Sequence, residues 1–214
     1  MPILDDAIQL TELECVTGEN GGRYYVTPEG HHYPSTTTVV NWDKREFFAE
    51  WRKNNPQKSK KILNRGTLVH QMVEDYIMTG LTQTSEDETT NKMFGNLASM
   101  VDTLDEIKAV EAPLYSDLLK MAGRVDCVGI LDGEYCIIDF KTSQKMKREE
   151  WLTEYWCQAT AYAIMWQERT GIAIPRIAIM MASEDGKKKI FTKDSMDMVP
   201  LLKEKIDRFS SFHY

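Results

Sequence analysis

One stretch of twenty residues, GRVDCVGILDGEYCIIDFKT at 123–142, constrains the fold of this 214-residue chain more than any other. It holds two apolar runs separated by Asp132-Gly133, a pair that favours a two-residue type I′ turn between antiparallel strands. Pairing outward from that turn brings Asp126 directly opposite Asp139. Opposed residues have Cβ atoms about 5 Å apart, so the sequence predicts two facing carboxylates.

Two carboxylates in this arrangement repel each other, so the hairpin needs a compensating charge. A divalent cation can supply it, because Mg²⁺ is held by one or two carboxylates together with substrate phosphates. Lys141 follows Asp139 by two residues and projects from the same strand face, whereas the Phe140 ring points into the core and its carbonyl lies near the metal. This group suits phosphodiester hydrolysis, with Lys141 orienting water or stabilising the transition state. The alternative is a solvated surface hairpin with Lys141 in a salt bridge.

Two helical pairs flank the predicted hairpin. His70 and Glu74 are four residues apart and share a helix face, as do Gln158 and Tyr162. A histidine beside a carboxylate can bind a metal ion, although a lone helical histidine is more often solvated. Gln158 belongs to a stripe that is more typical of a core face, so its amide needs a partner such as substrate or water. The stripe consists of Trp151, Tyr155, Gln158, Tyr162 and Met165.

The remaining elements predict an α/β or α+β domain with a mixed sheet. Helices are predicted at 35–54, 65–78, 91–109, 148–169 and 195–209. Strands are predicted at 112–119, 123–131, 134–141, 172–181 and 189–192, with a small β element at 13–33. Four aromatic residues of the first helix are expected in the core: Trp42, Phe47, Phe48 and Trp51.

The composition is ordinary for a globular protein, with 42% hydrophobic residues. No apolar run approaches the roughly 20 residues that cross a bilayer, and the acidic start lacks the basic region of a signal peptide. The four cysteines form no Cys-x-x-Cys pair, which favours free thiols in a reducing compartment over zinc or iron–sulfur ligation. We expect a cytoplasmic protein that is not secreted. The cysteines are Cys15, Cys127, Cys136 and Cys157.

The net charge of −7 argues against a nucleic-acid partner, but the charge is unevenly distributed. Residues 44–65 contain eight Lys or Arg residues and only two acids, and a second basic group occupies 141–148. Each group is consistent with a solvated helix face as well as with a nucleic-acid contact.

Four ordered motifs resemble those of the PD-(D/E)xK nuclease superfamily in its RecB-like branch. They are Gly-x-x-x-His at 66–70, Gly-x-x-Asp at 123–126, Asp-x-Lys at 139–141 and Gln-x-x-x-Tyr at 158–162. The resemblance covers about residues 34–182. It implies a restriction-endonuclease-like core, a mixed β-sheet flanked by helices, with an N-terminal β-hairpin and helical extension.

The resemblance also implies a role for each motif residue. The metal ligands would be His70, Asp126, Asp139 and the Phe140 carbonyl. The catalytic residues would be Lys141, Asp126, Asp139 and Gln158, with Tyr162 supporting the site or the substrate, and Glu74 and Glu111 as accessory acids. The implied cofactor is Mg²⁺ or Mn²⁺, as one or two ions. No iron–sulfur cluster is expected, because the cysteines do not bracket the core, and no nucleotide cofactor.

The N-terminal part is similar to a narrower group. RYYVTPEG at 23–30 and YPSTTT at 33–38 resemble phage-encoded exonucleases of the mitochondrial genome maintenance exonuclease type. The resemblance implies metal-dependent exonucleolytic cleavage of DNA, preferably single-stranded, in a host cytoplasm if phage-encoded. We expect one nuclease domain over 1–214, with an N-terminal DNA-contact extension at 1–62, a catalytic core at 63–192 and a C-terminal helix at 193–214.

DNA is therefore the expected partner, as single strands or ends, with annealing or replication and recombination proteins as further candidates and no membrane. The helix N-terminus near Ser35 could bind a phosphate, basic residues before His70 could guide a strand, and Tyr33 or Trp42 could stack on bases. The expected substrate-binding residues are Ser35, Thr36, Thr37, Lys58, Lys60, Lys61, Arg65 and Tyr162.

Other functions remain open. A duplex 5′ exonuclease that feeds an annealing protein, or a structure-specific endonuclease, would use the same site. A non-catalytic DNA-binding or scaffold module would keep the fold, but it has no need of the facing Asp126 and Asp139. A metal hydrolase that is not a nuclease has less support from the motifs.

Overall fold

The Asp132-Gly133 turn joins two central strands, β5 (Met121–Leu131) and β6 (Glu134–Ser143). Its two residues have φ values of 53° and 77°, as a type I′ turn requires. The register pairs Leu131 with Glu134, and the predicted hairpin is thereby confirmed. The computed structural model describes residues 8–18 and 22–212.

Five strands form the main sheet in the order β4-β5-β6-β7-β8. The other three strands are β4 (Glu106–Ser116) and β8 (Lys188–Asp194) at the edges and β7 (Arg176–Ser183) between β6 and β8. Helix α5 (Thr153–Thr170) connects β6 to β7, which run parallel, whereas every other neighbouring pair is antiparallel. The predicted mixed α/β architecture is confirmed.

Helices cover both faces of the sheet. One apolar core lies under α3 (Pro56–Thr79) and α4 (Glu88–Val101), and the other under α1 (Thr36–Val40), α5 and α6 (Val199–Ser210). Neighbouring residues of β6 alternate between the two, since Ile137 joins the α5 core and Ile138 the α3 core. Phe140 is 3% exposed on the α3 side, as predicted.

A small second sheet precedes the helices. It consists of β1 (Glu14–Thr17), β2 (Arg23–Val26) and β3 (His32–Pro34), paired antiparallel in that order. The predicted β element at 13–33 includes residues 19–21, which lie outside the described ranges. Tyr25 and Tyr33 bury their rings against Ala122 and Tyr115 of the main sheet. The small sheet is thereby packed beside the start of β5.

The predicted helix at 35–54 is wrong as a single element. It divides into α1, a 3-10 turn at Trp42–Lys44 and α2 (Arg45–Asn54). None of the α2 residues is buried, and Phe47 and Phe48 are 64% and 38% exposed, so their expected place in the core is also wrong. Aromatic spacing indicated an apolar face, but tertiary structure leaves that face uncovered.

The largest further differences in helix boundaries lie at the start of α3 and at the end of α4. Helix α3 begins at Pro56, nine residues before its predicted start, because proline is well suited to the first position of a helix. Helix α4 ends at Val101 rather than at Ala109, because the pairing of Ala109 with Val128 draws this segment into β4. Basic residues at 58–61 therefore lie on the same helix as His70.

The C-terminal helix α6 packs against the 3-10 turn that precedes α2. Trp42 packs edge-on against Phe209 with ring centroids 5.1 Å apart. Lys205 is 7% exposed, and its Nζ lies 3.3 Å from Glu154 and 3.4 Å from Asp43. Within the described residues no helix is long and apolar enough to span a bilayer.

Candidate active site

The two central strands separate at the predicted carboxylates. The last β5–β6 pair before them is Cys127 with Ile138. One step further, the Phe140 amide donates a hydrogen bond to Asp126 Oδ2 at 2.7 Å, so a side chain replaces a backbone acceptor. Beyond this point β5 continues along β4 and β6 along β7. A cleft of about 570 Å³ opens at this fork.

Three side chains in the cleft form a candidate metal site. Ligand atoms of His70, Glu111 and Asp126 all lie within 4.8 Å of one another, with His70 Nδ1 3.8 Å from Asp126 Oδ2. Glu111 is level with Asp126 because the flanking residues Val110 and Ala112 pair with Cys127 and Val125. Two carboxylates and an imidazole suit a divalent cation, so the residues fit the ion that the motifs imply.

The environment sets the protonation of this group. Burial lowers the pKa of His70, partly opposed by Asp126 and by a hydrogen bond with the Phe140 backbone. Neutral imidazole is the form that binds metals. Burial and the charges of Asp126 and Glu74 raise the pKa of Glu111 to about 7. A metal ion bound in place of the Glu111 proton would offset the repulsion between Glu111 and the neighbouring carboxylates.

Asp139 and Lys141 form a buried ion pair beside the candidate metal site. Asp139 is 1% exposed, and Lys141 Nζ lies 2.6 Å from its Oδ1 and 2.5 Å from its Oδ2. Burial raises the pKa of Asp139, although Lys141 opposes the shift. Burial disfavours the Lys141 ammonium, but Asp139 and Asp126 outweigh it and raise its pKa. Lys141 lines the cleft, whereas Asp139 is buried against it, and Glu111 rather than Asp139 joins His70 and Asp126 in the candidate metal site.

The glycine of Gly-x-x-Asp makes room for the tyrosine of Gln-x-x-x-Tyr. A Cβ on Gly123 would lie 2.6 Å from Tyr162 Oη. Tyr162 is 3% exposed, burial raises its pKa, and Gln158 Nε2 lies 3.5 Å from its hydroxyl. Both side chains line the cleft. The two motifs are therefore spatially coupled through direct packing.

One face of α3 forms a wall of the cleft. Its lining residues recur at helical spacing over four turns, from two apolar residues to the predicted His70 and Glu74. Sequence reasoning missed Ile62, Leu63 and Thr67, which extending the His70 face backwards by three, seven and eight residues would have found. The lining residues of α3 are Ile62, Leu63, Gly66, Thr67, His70, Gln71 and Glu74.

Two arginines on the opposite wall were also missed. Arg23 and Arg124 line the cleft, and Arg124 donates to the backbone carbonyl of Glu111 while pairing with Glu12. Glu111 has a φ of 46°, in the left-handed region that strains a non-glycine residue. Arg124 thus stabilises the backbone that presents Glu111. The sequence signal that could have identified Arg124 is its position inside the Gly-x-x-Asp motif.

The predicted substrate-binding residues divide into two groups. Ser35 and Thr37 line the cleft, although the Ser35 hydroxyl caps α1 by accepting from the Thr38 amide. Thr36 is fully buried and donates to the Ala122 carbonyl. Arg65 has a 9% exposed side chain and pairs with Glu184. We therefore assign Thr36 and Arg65 structural roles, and α1 is too short for the predicted phosphate site.

The two aromatic residues that were predicted to stack on bases, Tyr33 and Trp42, make other contacts. Tyr33 is 6% exposed and donates to Asp117 at 2.7 Å, and Trp42 packs between Phe209 and the Arg45 guanidinium. Neither ring offers a free face for a base. Lys58, Lys60 and Lys61 are exposed on the first turns of α3, beyond the cleft lining.

The fold and the motif residues define the class of protein. The sequence profile of the PD-(D/E)XK nuclease superfamily matches residues 92–208, more than half of the chain. The chain belongs to this superfamily, whose members are nucleases that use divalent metal ions. The match begins within α4, so the N-terminal sheet, α1 to α3 and His70 lie outside it.

Particular relatives are similar over shorter stretches. Human mitochondrial genome maintenance exonuclease 1 is 26% identical over 112 residues, which are 51% of this chain and 32% of that protein. The mouse protein of the same name is 30% identical over 103 residues, 47% of this chain and 28% of that one. The chain thus covers about a third of these relatives. A solved structure of a candidate exonuclease from Eubacterium rectale covers 67% of this chain and 63% of its own, with 11% identity and a TM-score of 0.46.

Gly123→Ala should destabilise the fold by about 2 kcal/mol, because the new methyl group would force the Tyr162 ring to move. Gly95→Ala in α4 is the control, since its Cβ would meet nothing within 4 Å, and helix propensity predicts a gain of up to about 1 kcal/mol. Urea unfolding measures both. Equal stability of the Gly123 variant and wild type would show that Tyr162 is not held over this glycine.

Glu111→Gln should stabilise the metal-free protein at pH 8 and have little effect at pH 5. The folded chain holds the Glu111 proton more tightly than the unfolded chain, because its pKa rises from 4.5 to about 7. Stability therefore falls as pH rises through this interval, by about 2 kcal/mol after an allowance for screening. Urea unfolding in EDTA tests this, with exposed Glu86→Gln as control. A variant no more stable than wild type at pH 8 would contradict the crowded-carboxylate interpretation.

Proposed function

We propose that this chain is a metal-dependent DNA exonuclease that hydrolyses phosphodiester bonds at DNA ends and prefers single strands. The observation that carries the proposal is the cluster of His70, Glu111 and Asp126 beside the Asp139–Lys141 pair, at the floor of an open cleft. The cluster offers ligands for a cation, and the pair offers an ammonium next to it. Superfamily membership supports nuclease chemistry.

Charge balance supports a divalent ion at this position. Glu111, Asp126 and Asp139 together with Lys141 leave two negative charges when all four are ionised. A single divalent cation would balance them. His70, Glu111, Asp126, Asp139 and the Phe140 carbonyl would hold the ion, and Asp139 is also paired with Lys141. When bound, the ion would activate a water molecule and neutralise charge on the phosphate.

The chain's own residues have distinct tasks in this mechanism. Lys141, fixed by Asp139, presents its ammonium where the attacking water and a phosphate oxygen meet, and stabilises the charge that develops there. Burial of the pair prevents water from screening that interaction. Gln158 and Tyr162 line the cleft on the α5 side, where the Gln158 amide, 3.5 Å from the Tyr162 hydroxyl, would bond the substrate or water. Thr37, Arg23 and Arg124 would contact the substrate backbone.

The preference for DNA ends and single strands rests on other observations. The relatives at 26% and 30% identity are named exonucleases, although the chain covers only about a third of them. Residues 1–62 contribute the basic, exposed α2 and the start of α3, which we assign to strand contact. Residues 63–192 form the catalytic core, and 193–214 the C-terminal helix region.

The wild-type protein should shorten end-labelled single strands with Mg²⁺ or Mn²⁺ and leave circular single strands intact. Asp139→Ala and Lys141→Ala should reduce the rate at least a hundredfold while keeping the fold. Gel analysis measures cleavage, and Mg²⁺-dependent thermal stabilisation of the wild type gives an independent test of ion binding. Cleaved circles would replace the exonuclease proposal with an endonuclease. Full activity of either variant would contradict the assigned site.

Charge reversal of Lys58, Lys60 and Lys61 should weaken binding of single strands and flatten its salt dependence, because each phosphate contact contributes to the slope. Fluorescence anisotropy across a salt series measures both quantities. Reversal of Lys203 and Arg208, exposed on α6, is the matched control and should change neither. Unchanged affinity of the α3 variant would exclude the three lysines from strand contact.

A further inference from the structure

Two aromatic rings lie beside the cleft, just before and at the start of α5. Trp151, in the 3-10 turn Glu149–Trp151, is 60% exposed, so its predicted place in a buried stripe is wrong. Tyr155 lies one turn further along and is partly buried. A single exposed tryptophan is common on protein surfaces. The groups around these rings distinguish them from an ordinary surface.

Two consecutive cations pack against the rings. Lys147 Nζ lies 4.6 Å from the centroid of the Tyr155 ring and 2.7 Å from its hydroxyl. The Arg148 guanidinium lies 5.6 Å from the Trp151 ring. Because Lys147 and Arg148 are neighbours in sequence, both rings flank the same short segment. Aromatic faces beside cations are the combination that binds unpaired nucleotides.

The acids in this segment have partners of their own. Glu149 lies 3.7 Å from Lys193, and Glu150 lies 3.8 Å from Arg148, with both carboxylates more than half exposed. Such surface pairs are weak and exchange readily with a phosphate. Lys147 contacts the Tyr155 hydroxyl, so its charge is available to an anion.

This segment is continuous with the proposed active site. Lys141 Nζ, which contacts Asp139, lies 5.0 Å from the Tyr155 ring. Tyr155 therefore contacts both Lys141 and Lys147. Gln158, one turn further along α5, lines the cleft itself. A strand whose phosphate reaches Lys141 would pass close to Tyr155.

We propose that Lys147, Arg148, Trp151 and Tyr155 form a nucleotide subsite next to the cleavage position. The Trp151 ring stacks on an unpaired base, while Lys147 and the Tyr155 hydroxyl bind a neighbouring phosphate. Stacked neighbours cover both faces of a base inside a duplex, so a subsite that stacks on a base within the strand favours single-stranded DNA. The inference rests on the proposed nuclease function and gives that function a structural basis for strand choice.

Binding without cleavage tests the subsite. In EDTA, fluorescence anisotropy of a labelled oligonucleotide should show about tenfold weaker affinity for Trp151→Ala, because stacking on one aromatic ring contributes on this order. Trp151→Phe should recover most of the loss. Met196→Ala removes a side chain that is 66% exposed near the opposite end of the sheet, and it should bind like the wild type. Thermal unfolding should be the same for all three variants.

An abasic oligonucleotide separates stacking from charge. Trp151→Ala should bind it as well as the wild type does, since no base remains to stack. Lys147→Ala should lose affinity for normal and abasic strands alike and reduce the salt slope by about 0.7. Wild-type affinity of Trp151→Ala for the normal strand, or an equal loss on both strands, would overturn the stacking proposal.

Failure of the nuclease function would look different. A wild-type protein that binds strands but leaves them uncut with Mg²⁺ or Mn²⁺ would lose the proposed activity, while the effect of Trp151→Ala on affinity would still support the subsite. A wild-type protein that binds no single-stranded DNA would overturn the subsite directly.

Discussion

The hydrogen bond from the Phe140 amide to the Asp126 carboxylate holds the two central strands at the point where they separate. A backbone amide at a sheet's centre needs an acceptor, and here the side chain provides one after the ladder has ended. The same carboxylate therefore has two tasks, since its position also brings it to His70 and Glu111. The site is built into the sheet by this bond, and a change at Asp126 would disturb structure and chemistry together.

The fork concentrates negative charge on three adjacent strands, at Glu111, Asp126 and Asp139. Among the described residues, Lys141 forms a close ion pair with Asp139. Arg124 contacts the carbonyl of Glu111 rather than its carboxylate. The metal-free protein therefore carries electrostatic repulsion, together with the strained φ of Glu111. Such local costs are typical of sites that are arranged for a bound ion rather than for stability.

The parts of the site that sequence could predict are those set by local geometry. The Asp132-Gly133 turn determines the register of β5 and β6, and a two-residue step places Lys141 beside Asp139. The sequence indicated Glu111 only as an accessory acid, because its position depends on the pairing of β4 and on a left-handed backbone. Helical spacing shows that a helix has an apolar face, but it does not show whether another element packs against that face. The prediction that Phe47 and Phe48 lie in the core was wrong for this reason. The ion pair of Arg65 with Glu184 joins residues far apart in the chain, which no local pattern reveals.

Helix α3 has 24 residues and is therefore about 36 Å long. Its basic first turns project beyond the cleft, and His70 lies past its midpoint, on a stretch buried against α4 and the sheet. One continuous helix therefore sets the spacing and the angle between the three exposed lysines and His70, with Arg65 paired to Glu184 between them. A residue inserted between Lys61 and His70 would turn the lysine face by about 100° relative to the imidazole, because the helix has 3.6 residues per turn.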